Sequence, residues 1–230
     1  ALAWFHRRAA RTLVPTRSQQ EDLSRRGFRN LRVWGRGVDT RLFRPGRTGR
    51  LRGQRPSLMY MGRVAVEKNF EAFLKLRVPG TRVVVGDGPA LSRLRAQWPD
   101  VQFLGARYGD DLAATLADAD VFVFPSRTDT FGVVLLEAMA CGVPVAAYPV
   151  TGPVDVVVDG LTGVLDNDLD TAVRGALRLD PEACRKYALE RSWAAATQQF
   201  LDALVPALPV DSLGQPGGQF GPETEQRQGQ

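Results

Sequence analysis

From Ser57 onward one pattern repeats: a strand-length apolar run, a helix-like stretch, then another apolar run, with no hairpin signal between them. The apolar runs fall at 58–61, 83–85, 101–104, 121–124, 143–147 and 162–165. Helical segments are expected at about 67–76, 90–97, 111–117, 131–141, 153–157 and 169–179. Neighbouring parallel strands need crossovers, the crossovers are helical, and a sheet covered on both faces carries continuous rather than alternating apolar runs. The pattern therefore predicts an α/β fold: a Rossmann-like, doubly wound parallel sheet over residues 57–180.

The flanking segments read differently. Residues 1–14 suggest a helix and a short apolar run with no sheet upstream for that run to join, so 1–34 reads as the tail of a preceding domain. Within it Ser18 and Glu21 have capping-box spacing and Gly27 is a helix stop. Glycine, proline and arginine mark 35–56 as a linker, 181–208 as one long helical stretch, and the polar, glycine-rich 209–230 as a disordered tail. The net charge of +5 comes almost wholly from arginine, crowded into the first quarter of the chain. Nucleic acid, an anionic membrane surface and a phosphorylated substrate all suit that balance, as does a plain solvated face. Against nucleic acid stand the lack of interleaved aromatics and of a recognised module. No run is long enough to cross a bilayer and no signal peptide is evident, so the expected location is cytoplasmic. The two cysteines, Cys141 and Cys184, have no repeated spacing, and His6 is the only histidine. That removes a Ser-His-Asp triad in the sheet region and a multi-histidine metal site.

Open parallel sheets bind ligands where their strands end at the carboxyl side. After the first strand come Gly62, Arg63 and Lys68, a glycine for close backbone approach and two cations that suit a diphosphate. Solvated surface is the bland alternative for that pair. Gly86-Asp87-Gly88-Pro89 reads as turn and helix-start chemistry. Gly105 is either a strand stop or exposed backbone against which a base could lie. After the fourth strand, Thr128 or Asp129 can cap a helix whose first amides, Thr130, Phe131, Gly132 and Val133, face an anion from a positive helix end. Glu137 sits among Leu135, Leu136, Ala138 and Met139. A carboxylate there needs donors, which ribose hydroxyls would supply; a partly exposed helix residue is the plainer view. Neither GxGxxG, GxxxxGK[ST] nor GxSxG occurs.

Six segments together carry a resemblance: RGVDTRLFRP (36–45), GRVAVEKN (62–69), VVVGDGP (83–89), FPSRTDTFGVVLLEAMACGVPVAA (124–147), GLTGVL (160–165) and the region around Ser192-Trp193. In order and spacing they resemble the GT-B glycosyltransferases of family 4, retaining enzymes that use nucleotide sugars. The resemblance implies that the sheet domain holds the donor. By it Asp129 would contact the donor sugar, Glu137 the ribose, Arg63 and Lys68 the diphosphate, and the amides around Phe131 to Val134 the phosphates and sugar. Aspartate at 129 replaces the glutamate that opens the family's EX7E motif. The implied reaction is transfer of a hexose, with a preference for mannose, to a glycan or lipid-linked acceptor with retention and without a metal ion or other cofactor. Peripheral association with the inner face of a membrane goes with such an acceptor. The same resemblance makes 1–34 the end of an acceptor domain and 181–208 a helix returning to it. A domain that binds nucleotide sugar without turning it over is the alternative.

Overall fold

The computed structural model describes residues 2–46 and 48–205, the side chain of Val66 excepted. The tail at 209–230 and the last residues of the expected 181–208 helix lie outside the described residues. No helix among the described residues is long and apolar enough to cross a membrane.

The N-terminal unit consists of α1 (Leu2–His6), β1 (Thr12–Val14), α2 (Arg17–Arg25) and β2 (Leu31–Val33). The run at 12–14 finds its sheet partner downstream: β1 pairs in parallel with β2, Thr12 opposite Leu31 and Val14 opposite Val33. The cap of α2 is Thr16 rather than the expected Ser18. Thr16 has extended backbone and its hydroxyl accepts from the Gln19 amide at 3.2 Å. Ser18 is engaged elsewhere, its amide and hydroxyl both donating to Asp155. Gly27, at φ 84°, follows the helix end as expected.

The second unit holds β3 (Ser57–Met61), α3 (Phe70–Leu74), β4 (Thr81–Val85), α4 (Leu91–Gln97), β5 (Gln102–Gly105), α5 (Gly109–Ala117), β6 (Val121–Phe124), α6 (Val133–Ala140), β7 (Val145–Ala147), α7 (Pro153–Val156), β8 (Gly163–Leu165) and α8 (Leu169–Ala176). Its strands are parallel throughout, in the order β5-β4-β3-β6-β7-β8. Every residue of β3 and β6 is buried, because helices cover both faces. Met59, Phe122, Leu135 and Met139 pack on one face; Leu58, Tyr60, Phe73 and Val123 pack on the other. The Rossmann-like expectation is borne out.

Two expected helices are interrupted. The segment 67–76 begins as a 3-10 turn (Val66–Lys68), and Asn69 in left-handed geometry (φ 51°) separates that turn from α3. The stretch 181–208 divides into α9 (Pro181–Leu189) and α10 (Trp193–Ala203). Ser192 is extended at the break, caps α10 through its hydroxyl, and forms a parallel bridge with Val38. The segment 35–56 packs against the sheet unit: Val38 and Phe43 are buried, and the amides of Thr48, Gly49, Arg50 and Leu51 all donate to the buried carboxylate of Asp118. Burial pushes that carboxyl up, but its hydrogen bonds outweigh burial and hold it below the ordinary value.

Candidate functional site

β3 and β6 are sequence-distant neighbours at the centre of the sheet, so the chain leaves in opposite directions from their carboxyl ends and a crevice opens between the two departing loops. A cleft of about 380 Å³ occupies that place. Gly62, Arg63 and Lys68 line it from the β3 side, and Asp129, Thr130, Phe131, Gly132, Val133 and Val134 from the β6 side. Two loops far apart in sequence thus bring the expected cations and the expected helix start to one cavity.

Close backbone approach shapes the β3 loop. A Cβ on Gly86 would run into the Gly62 carbonyl, so the GDGP turn lies directly beneath Gly62. The Val64 amide donates to Asp87 O at 2.9 Å. The buried phenol of Tyr60, its pKa pushed up by burial, donates to the Arg63 carbonyl at 2.7 Å. Asn69 Nδ2 donates across to Pro125 O at 3.0 Å and ties this loop to the other.

On the β6 side, α6 starts at Val133, two residues later than expected, after Gly132 at φ 79°. No side chain caps it, so its first amides remain available at the positive helix end. The Phe131 amide, expected to be free, instead donates to Asp129 Oδ1 at 3.2 Å. Asp129 Oδ2 pairs with Lys68 Nζ at 3.1 Å, the side chains being 18% and 32% exposed. Arg63 lies 3.5 Å from Glu67. Both expected cations therefore carry a carboxylate partner.

Glu137 and Gly105 are not part of the cleft lining. Glu137 stands one helical turn beyond Val133 and Val134 on the same face of α6. Burial raises its carboxyl above the usual range, and among the described residues no hydrogen-bond donor reaches it. Gly105 ends the edge strand β5, two strands from β3; its carbonyl accepts from the Gly86 amide at 2.9 Å and its φ of 74° requires glycine.

The structure adds residues that sequence reasoning passed over. Ser126 is fully buried on the cleft wall, and its hydroxyl has no partner among the described residues. Arg36 reaches the cleft from the 35–56 segment, at the head of the RGVDTRLFRP motif, to which the strand-end rule assigns no site. Arg36 and Phe131 also line a neighbouring cavity of about 200 Å³ beside Thr16, Asp155 and Arg191. Among the described residues no cluster of three or more histidine, cysteine or acidic side chains could hold a metal ion.

The sequence pattern of the family described as Glycosyl transferases group 1 matches residues 55–179, which covers β3 to α8 and both loops of the cleft. The chain belongs to the group 1 glycosyl transferases. The GT-B resemblance drawn from its motifs is borne out at that level. A GDP-mannose-dependent alpha-mannosyltransferase of Mycobacterium tuberculosis is 35% identical over 221 residues, covering 87% of this chain and 58% of the relative. One of the same description from Mycolicibacterium smegmatis is 38% identical over 221 residues, covering 87% and 59%. The chain thus spans less than two thirds of these relatives' length. The crystal structure of Anabaena Alr3699/HepE in complex with UDP shares the fold at a TM-score of 0.72 and 21% identity, covering 86% of this chain and 64% of that one.

Proposed function

We propose that this glycosyl transferase chain binds a nucleotide-diphosphate sugar in the cleft between β3 and β6 and serves retaining hexosyl transfer as a member of family 4. The observation that carries the proposal is the convergence of Arg63, Lys68 and the uncapped start of α6 on one cavity at the sheet's switch point. A guanidinium, an ammonium and aligned amides together suit two linked phosphates. Mannose carried on GDP is the donor we favour, in line with the description of the mycobacterial relatives. The unpartnered Ser126 hydroxyl offers a further hydrogen bond inside the cleft. Glu137, one helical turn beyond the lining residues Val133 and Val134, is the ribose contact we favour, and Gly105, at the end of β5, is the backbone we assign to the base.

In the reaction the bond from the sugar's anomeric carbon to the diphosphate oxygen breaks, and an acceptor hydroxyl oxygen bonds that carbon on the same face. The acceptor's proton passes to the departing diphosphate. Arg63, Lys68 and the α6 amides stabilise the charge that gathers on the leaving group, so the chemistry asks no divalent ion of the protein. Asp129 contacts the sugar only after giving up Lys68 to the phosphates. The acceptor is a glycan or lipid-linked sugar met at a membrane surface, with no part for nucleic acid.

Calorimetric titration with GDP-, UDP- and ADP-sugars tests the donor reading. Tight binding of one class, lost in Arg63→Ala and Lys68→Ala proteins that keep the wild-type fold, is the expected result. Absence of binding to all three classes would overturn it. Donor binding without transfer or hydrolysis would favour a purely nucleotide-sugar-binding role.

A further inference from the structure

Arg36 enters the cleft from outside the sheet unit, on the segment that leaves β2. It differs electrostatically from the two cations already discussed. Arg63 faces Glu67 at 3.5 Å and Lys68 faces Asp129 at 3.1 Å, whereas Arg36 has no carboxylate in ion-pair range among the described residues. Of the cations that line the cleft, Arg36 is therefore the one without an ion pair among the described residues.

Its orientation is fixed by means that leave its donors unspent. The guanidinium of the partly buried Arg36 lies over the Trp34 ring, 4.9 Å from the centroid, a contact through the ring face that uses none of its N–H groups as hydrogen-bond donors. Trp34 is itself held: its Nε1 donates to Ala196 O at 3.0 Å, and its ring meets Phe200 at 5.1 Å between centroids. The Gly35 amide donates to Gln199 Oε1 at 3.2 Å. Helix α10 thus backs the short segment that presents Arg36.

We propose that Arg36 is a third ligand of the donor's diphosphate and that Trp34 is the residue that positions it. The inference rests on the nucleotide-sugar reading and deepens it, since the donor would be gripped by the N-terminal segment as well as by the sheet unit. A bound diphosphate brings the negative charge that Arg36 lacks. It also competes with Asp129 for Lys68, so Arg36 gains its first counter-charge while Lys68 merely exchanges one. Of the three, Arg36 has the most to gain from the ligand.

The test is calorimetry on the chain with GDP and UDP, and with guanosine and uridine as phosphate-free controls. Wild type is compared with Arg36→Ala, Arg36→Gln, Arg36→Lys and Trp34→Leu, each checked by circular dichroism. For the nucleotide that wild type binds, Arg36→Ala and Arg36→Gln are expected to weaken affinity about tenfold or more, the loss of one charge-assisted contact, without changing nucleoside binding. Arg36→Lys should recover part of the loss, and Trp34→Leu should give a smaller loss of the same kind. Diphosphate affinity unchanged in both Arg36→Ala and Arg36→Gln would overturn the inference and leave the donor reading standing. A wild-type chain that binds neither diphosphate would overturn both.

Discussion

At the scale of single residues, the carboxylates of the cleft act through what they compete for. Asp129 holds Lys68 at 3.1 Å and the Phe131 amide at 3.2 Å, so both of its oxygens are spent before a sugar arrives. An aspartate, one methylene shorter than glutamate, reaches these neighbours on its own loop and across to Lys68. Asp129→Asn should therefore free Lys68: affinity for GDP itself is expected to stay level or rise a few-fold, and the melting experiment should register a loss of no more than about 1 kcal/mol for so partly exposed a pair. Affinity for the full nucleotide sugar should fall in the same protein, and equal changes for the two ligands would remove the sugar contact. Glu137 is governed by burial instead. Burial raises its folded-state pKa above 4.5, so the native state keeps the proton to higher pH than the unfolded chain does. Its contribution to stability is most favourable below the unfolded value and declines as pH rises through the native one. Glu137→Gln is expected to flatten stability against pH above 4.5 and to leave the neutral protein at least as stable, read by denaturant titration across pH. The same variant should weaken a nucleoside diphosphate roughly tenfold while sparing pyrophosphate, as the loss of a charged acceptor for ribose predicts.

At the scale of elements, the sheet was legible because buried parallel strands announce themselves as short unbroken apolar runs. The 58–61 and 121–124 expectations lie within a residue of β3 and β6 for that reason. Helix interruptions were not legible, since each depends on a partner far away in sequence. Asn69 adopts φ 51° and donates to Pro125 O, and nothing within 67–76 foretells a carbonyl 56 residues on. The break before α10 likewise depends on Val38, whose amide donates to Arg191 O at 3.0 Å. The strand-end rule located Gly62, Arg63, Lys68 and Asp129 to Val133 on the cleft, and the resemblance added Val134, but the rule gave no means of finding Arg36, which arrives from a segment without a strand. Asn69→Gly keeps the left-handed geometry and deletes the cross-loop bond. It should cost about 1 kcal/mol in denaturant unfolding and weaken diphosphate binding by loosening the two loops relative to each other. Unchanged diphosphate affinity would show that the loops hold their spacing without it.

At the scale of the whole molecule, the N-terminal unit is fastened to the rest at separate points. Ser18 reaches Asp155, Arg11 Nη1 donates to Asp202 O at 2.8 Å, and Trp34 is held by α10. The Asp155 contact lies close to the cleft, because Asp155 and Phe131 border the same neighbouring cavity. Asp155→Ala is expected to speed amide hydrogen exchange in α2, where the Ser18 amide loses its acceptor, while exchange in β3 and β6 stays slow. Equal exchange in α2 would mean that the other fastenings suffice. The four backbone amides gathered by Asp118 bear on how such proteins can be recombined. Residues 48–51 are bound to the end of α5, so a chimera joining a foreign N-terminal segment to this sheet unit should keep its own 48–56 with the sheet. A crossover placed at Ser57 would strand a buried carboxylate without its amides; one placed in the preceding loop would move the whole sheet unit as a single cassette.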